Sequence, residues 1–331
     1  AGPDEIIFTS GGTESDNTAL RGIACKRERG HIITSSIEHH AVLKTCKSLE
    51  KEGFSVTYLP VDSQGRVDPG EVERSIRQDT ILISIMYANN ETGVVEPVSA
   101  IGAIAGKYQI PFHCDAVQAV GKIAIAVHDL NVDLLSLSSH KVYGPKGVGA
   151  LFVREGIDLS PLITGGHHER GLRAGTENVA GIVGFACALT IALEGIHHYQ
   201  TGLLSLRNKL ESALTQRIDQ TVIHGMGAER LPHTSCIGFG SVEAESILLH
   251  LDLKGIAASS GSACTTGESE PSHVLSAMGV PAELAQGSIR ISLGRENTEE
   301  EIEYTVNALE SAIAQLREIS SQWTARERIV I

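Results

Sequence analysis

Between residues 5 and 153 the chain repeats one unit: a short apolar run, a polar turn, then a stretch with helical spacing. The apolar runs fall at residues 5–9, 31–35, 55–60, 80–86, 111–114, 133–138 and 148–153. Helical patterns lie between them, from 13 to 26, from 40 to 51, from 68 onward, and from Pro97 to 108. Strand and helix in alternation predict an α/β fold, here a seven-stranded, mainly parallel sheet with helices on both faces. Beyond 153 the texture changes. A glycine-rich charged loop at 165–176 precedes helical patterns at 177–195 and 203–217. Short strands at 234–239 and 289–292 then mix with helices at 242–251 and 298–319, which reads as a smaller α+β domain. The expected division is 1–195 for a large ligand-binding domain and 196–331 for the smaller one.

In a sheet of this kind ligands bind outside the carboxyl ends of the strands. Those ends carry Gly12 and Thr13, then His39, then Asn90, then Asp115 and Gln118, and last Ser138, His140 and Lys141. Five polar strand ends suit one anionic, aromatic ligand better than five bland loops do. Lys141 sits on a tight turn closed by Gly144, Pro145 and Gly147, which forbid a regular helix. A lysine held there and desolvated frees its lone pair for Schiff-base chemistry. The competing reading is a solvated lysine in a hairpin. Ser10-Gly11-Gly12-Thr13 between strand and helix reads as an anion cup or as a plain N-cap at Thr13. Asp115 against a pyridine-type nitrogen keeps such a ring protonated and so an electron sink; otherwise it is a turn or cap residue. Gln118 can donate to a ring oxygen or lie on a helix surface. His39 can stack on a ring or cap a helix. His167, His168 and Glu169 are adjacent and lack a third partner, so no metal is expected.

A net charge of −13 disfavours nucleic acid or an anionic membrane as partner. No apolar run approaches the roughly 20 residues a membrane span needs. The six cysteines form no C-x-x-C pair, which points to reduced thiols in a reducing compartment. Five of them lie in helix or strand patterns, where an inert thiol is expected. Cys264 differs: it stands in Ser259-Ser260-Gly261-Ser262-Ala263-Cys264-Thr265-Thr266-Gly267, the composition of a mobile loop with a reachable thiol. The alternative for Cys264 is a small buried hydrophobe.

Taken together, Ser10-Gly11-Gly12-Thr13-Glu14-Ser15, Glu38-His39, Asn89-Asn90-Glu91-Thr92-Gly93, Asp115-Ala116-Val117-Gln118, Ser138-Ser139-His140-Lys141, Arg173-Ala174-Gly175-Thr176 and the Cys264 loop resemble the cysteine desulfurases. These are pyridoxal-phosphate enzymes of fold type I, related to the class V aminotransferases. The resemblance spans essentially the whole chain, and the Ser-Ser-Gly-Ser-Ala-Cys form resembles the group with the longer cysteine loop. It implies that Lys141 forms the Schiff base, Asp115 pairs with the pyridine nitrogen, Gln118 meets the ring hydroxyl and His39 stacks on the ring. Thr13, beside Gly12, would hold the phosphate with Ser138 and His140. Thr176 would reach the phosphate of the partner subunit, so a homodimer is implied. Asn90 and Arg290 would bind the substrate carboxylate. Cys264 would take sulfur from L-cysteine as a persulfide, leaving L-alanine. The sulfur would pass to an acceptor protein, either an iron–sulfur scaffold or a tRNA-thiolation carrier, in the cytoplasm. His39 is also the residue expected to move a proton for Cys264. Related readings are a selenocysteine lyase, another class V aminotransferase, or a scaffold without catalysis. Family members usually carry some tens of residues before the first strand seen here, so the chain, which opens at Ala1 without Met, is expected to be a fragment or processed form.

Overall fold

The computed structural model describes residues 1–260 and 272–319. Close packing divides the chain into two compact units. The first comprises residues 1–62, 66–90 and 95–196; the second comprises 63–65, 91–94 and the described residues from 197 onward.

The first unit is built on seven strands: β1 Ile6–Thr9, β2 His31–Ser35, β3 Ser55–Leu59, β4 Thr80–Ser84, β5 Phe112–Asp115, β6 Leu134–Ser138 and β7 Gly149–Val153. Their order across the sheet is β1-β7-β6-β5-β4-β2-β3. From β6 through β5, β4 and β2 to β3 every pairing is parallel. β7 runs antiparallel to both β6 and β1. The link 139–148 before β7 is too short for a crossover helix, so the chain can only turn back beside β6. The sheet is therefore mainly parallel, as the alternation implied.

Helices cover both faces: α1 Gly12–Ala24, α2 His40–Lys51, α3 Pro69–Ser75, α4 Val98–Tyr108 and α5 Val179–Glu194. On one face α1 and α2 bury Leu20 and Leu49 against Ile7, Ile32 and Leu82. On the other, α5 packs Phe185 against Val120, Val142 and Val148. Pro97 is the N-cap of α4 and not its first residue.

The second unit holds a four-stranded antiparallel sheet in the order β10-β11-β9-β8. Its strands are β8 Thr221–Ile223, β9 Thr234–Phe239, β10 Ser259–Ser260 and β11 Ser288–Ser292. Helices Leu204–Arg217, Ala244–Asp252 and Glu299–Ile319 close one core with it, through Leu210, Ile247 and Leu309 on the helices and Ile237 and Phe239 on β9. Ser259 and Ser260, which composition assigns to a loop, pair with Arg290 and Ile289. A π-helical turn, Tyr199–Leu203, leads into helix Leu204–Arg217.

Candidate active site

Lys141 lies on a 3-10 turn, Ser139–Val142, that continues β6. Tyr143 then takes φ 64° and ends the turn. Gly144 N–H donates to the Ser139 carbonyl at 3.0 Å. A Cβ on Gly144 would stand 2.1 Å from Ser139 Oγ, so only glycine closes the loop this tightly. The lysine is half-buried, and His140 beside it is exposed. Ser138 is buried, with its Oγ 2.9 Å from His140 Nδ1.

The cup at the start of α1 stands against this turn. No side chain caps α1; Gly11 is its N-cap residue and Thr13 lies one step inside the helix. The plain N-cap reading of Thr13 therefore fails. Gly11 has φ 152°, and its Cβ position would lie 3.8 Å from Ser138 Oγ. A Cβ on Gly12 would stand 2.7 Å from Val117 Cγ2. On the sheet side, a Cβ on Gly149 would meet Leu137 O at 2.6 Å and Gly11 Cα at 2.7 Å. Three glycines thus let β1, β6 and β7 come together at one corner. An uncapped helix start with a hydroxyl and an imidazole beside it is a donor set for a phosphate dianion. Glu14 fixes the cup from outside: it accepts from Ser10 N–H at 2.9 Å and from Arg173 Nε at 2.9 Å. The partnership of Glu14 with Arg173 is absent from the sequence reading, because only the fold brings residue 173 to α1.

Asp115 ends β5 and is buried, with Oδ1 accepting the Val117 N–H at 2.9 Å. Burial raises its pKa to about 6, while the Val117 N–H and the Lys141 charge pull the other way. Asp16, on α1, is fully buried nearby. Its Oδ1 has no hydrogen-bond partner among the described residues and lies 3.6 Å from His113 Nε2. Burial, and next the Asp115 charge, push Asp16 well above the usual carboxylate range. His113 gives no compensating cation. Its Nδ1 is 2.8 Å from Ser84 Oγ, its Nε2 is 2.9 Å from Ser136 Oγ, and burial depresses its pKa to about 3. Two carboxylates in one dry place hold one charge between them. Asp16 keeps the proton, and Asp115, with a backbone donor and Lys141, keeps the charge. Asp16 and His113 are site-supporting residues that sequence reading missed. The signal was present, since His113 and Asp115 are two apart on a strand and so share a face.

His39 is half-buried and caps α2, its Nδ1 accepting the Ala41 N–H at 3.1 Å. That bond leaves the ring proton on Nε2. Asn90 is half-buried at the end of the segment after β4, and neighbouring Asn89 anchors that segment by donating to Ile37 O at 3.0 Å. Gln118 is half-buried three residues past Asp115. Thr176 is exposed in a cleft with Phe8, Ser10, Gly147 and Arg173. In that loop His168 Nδ1 accepts the Gly175 N–H at 3.3 Å and Glu169 accepts the Phe8 N–H at 3.2 Å. Both are engaged in folding the loop.

In the second unit, Arg290 lies on β11, half-buried, paired in register with Ser259 and Cys236. Glu91 is buried there and bonds the Ser272 hydroxyl; burial pushes its pKa up to about 7, against the pull of Arg290. Cys264 lies outside the described residues. Cys46, Cys114 and Cys236 are buried, and burial raises each thiol above its usual range. Cys25 and Cys187 are exposed, so the expectation of inert burial does not extend to them.

The first unit thus presents a half-buried lysine, an ionised buried carboxylate and a phosphate cup at neighbouring strand ends. This donor set fits pyridoxal phosphate, which when bound supplies an electron sink for bonds at the substrate's α-carbon. Residues 1–305 match the aminotransferase class-V family, and the chain belongs to that family. Cysteine desulfurase IscS of Dictyoglomus turgidum (strain DSM 6724 / Z-1310) is 53% identical over 319 residues, covering 96% of this chain and 81% of that protein. A solved NifS-like protein superposes with TM-score 0.89 at 42% identity, over 96% of this chain and 84% of that one. The structure of SspA in complex with cysteine gives TM-score 0.78 at 40% identity, over 90% and 84% of the two chains. Within the class-V aminotransferases the chain takes its place among the cysteine desulfurases, and it is an enzyme of that group.

Proposed function

We propose that the protein binds pyridoxal phosphate on Lys141 and converts L-cysteine to L-alanine, with the sulfur carried as a persulfide on Cys264. The step is balanced without an outside oxidant. The substrate C–S bond breaks, an S–S bond forms on Cys264, and a proton returns to the carbon that becomes the alanine methyl group. The observation that carries this reading is the meeting of Lys141, Asp115 and the Gly11–Thr13 cup at the ends of β6, β5 and β1. Gly12, Thr13, Ser138 and His140 hold the phosphate. Asp115 faces the ring nitrogen, Gln118 the ring hydroxyl, and His39 the ring face. With Nδ1 engaged at the α2 cap, His39 has Nε2 as its working nitrogen for proton transfer. Asn90 and Arg290 are assigned to the substrate carboxylate. The SspA structure with cysteine supports an amino-acid thiol as substrate class.

A homodimer is part of the proposal. α5 exposes Val179, Val183 and Ile191 at 65%, 57% and 54% of their surface, a stripe that a partner copy would cover. Thr176, exposed on the preceding loop, is assigned to the partner's phosphate site in that dimer. The domain division proposed is 1–195 and 196–331. No single helix among the described residues is long and apolar enough to cross a membrane. The five described cysteines are free, which supports a reducing compartment, taken as the cytoplasm. The acceptors assigned to the sulfur are proteins, an iron–sulfur scaffold or a tRNA-thiolation carrier. The test is the purified protein with L-cysteine: alanine and sulfur should appear in equal amounts, and only when the cofactor absorbance is present. Pyruvate in place of alanine would contradict the reading.

A further inference from the structure

Lys122 has no role in the chemistry above, yet it is 4% exposed and lies beneath the lysine turn. Its Nζ donates to the Gln118 carbonyl at 3.0 Å and to the Lys141 carbonyl at 3.2 Å. Those two residues come from different strand ends, and both are assigned to the cofactor. No carboxylate pairs with Lys122 among the described residues; the charge that acts on it is that of Lys141. A neutral amine has two N–H donors, and the two carbonyls use both. An ammonium would add a third donor and an uncompensated buried charge. Burial first, and then the Lys141 charge, lower its pKa to about 7.

The backbone is shaped for this contact. Gly121 has φ 71°, and a Cβ there would stand 3.0 Å from Val142 Cγ1 and 2.7 Å from Ala192 Cβ. The titratable groups around the amine are Lys141 and His140 on the 3-10 turn; burial first, then the Lys141, Lys146 and Lys122 charges, hold the His140 pKa down. α5 meets the same turn with Ala188 and Ala192, and its one carboxylate, Glu194, is its last residue. On the segment that Lys122 ends, Asp115 stands at the start and Gln118 is neutral.

We infer that Lys122 is a positioning residue whose amine ties the Gln118 and Lys141 backbones into one unit and places its own charge state beside the Schiff-base lysine. The inference rests on the reading of Lys141 as the cofactor lysine. Protons on the two amines then oppose each other, so near and below pH 7, where Lys122 takes up a proton, removing that cation raises the proton affinity at Lys141.

Two variants separate the roles: Lys122→Met removes donors and charge, whereas Lys122→Gln keeps a donor and removes the charge. In the cofactor-loaded protein, the pH midpoint of the cofactor absorbance should rise in both, by about tenfold in proton affinity. Loss of cofactor on dialysis should be about tenfold faster in Lys122→Met and largely restored in Lys122→Gln. A second readout needs no cofactor. The folded pKa lies below the unfolded value of about 10.4, so the unfolded chain binds more protons between the two. The unfolding midpoint of the wild type should therefore gain stability as pH rises from about 7 to 9, and both variants should lose that gain. An unchanged absorbance midpoint together with an unchanged pH slope would overturn the inference, and Lys122→Gln carries both readouts if the Met variant does not fold. If the wild type shows no cofactor on Lys141, the reading of the site has failed instead; the stability slope then still decides the buried amine.

Discussion

At the level of single residues, the charge held under the strand ends decides what the site can bind. Asp115 is ionised only above its raised pKa of about 6. Below that pH it has no negative charge to offer a protonated ring nitrogen. Cofactor affinity, followed by quenching of protein fluorescence, should therefore fall about tenfold between pH 7 and 5 in excess of the wild type's unfolding. Asp115→Asn should abolish that pH dependence and slow turnover by at least about a hundredfold while still binding cofactor. Stability moves the other way. A carboxyl whose folded pKa is raised favours the folded state while it is protonated, so this contribution is lost as pH rises from about 4 to 6. Lys141→Ala should lose the covalently held cofactor absorbance, and borohydride reduction of the wild type should label the peptide containing Lys141. Label on Lys146 would contradict the assignment.

At the element scale, the site depends on β1, β6 and β7 approaching more closely than side chains allow. Gly149→Ala would drive a Cβ into Leu137 O and Gly11 Cα, both backbone atoms that cannot rotate away. It should cost about 1–3 kcal/mol, the usual range for overpacking, and loosen the cofactor as well. Chemical denaturation of the cofactor-free and loaded protein measures both. The strands of the first unit were legible because most are β-branched or leucine-rich runs bounded by turn residues; β2 is buried at every position, whereas β3 is buried only at Leu59. Their polar ends were legible for the same reason, since Asp115, Ser138 and Lys141 break the runs. The return of β7 beside β6 was legible too, because the link between the runs 133–138 and 148–153 is too short for a crossover helix. In the second unit, β8 and β10 are three and two residues long, too short for any alternation to register. Asp16 lies in the helical pattern 13–26 and Lys122 in the stretch between the runs 111–114 and 133–138; one polar residue in such a stretch does not announce that tertiary packing will bury it.

At the scale of the whole molecule, the exposed face of α5 and the loop before it argue for two copies working together. Val183→Glu with Ile191→Glu should give a monomer by sedimentation, with activity lowered at least about tenfold as Thr176 loses its partner's phosphate. A fully active monomer would remove the shared site from the account. Within each copy the proposed sulfur transfer needs one thiol, Cys264. Buried Cys114 and Cys236, with thiol pKa values raised by burial, are poor nucleophiles. The direct measurement is peptide mass spectrometry of the cofactor-loaded protein after brief exposure to L-cysteine, with and without Cys264→Ser. The account predicts a gain of one sulfur on the peptide holding Cys264 and none in the Ser variant, which keeps its cofactor absorbance. Sulfur found on Cys114 or Cys236, in a Cys264→Ser variant that still makes alanine, would contradict it.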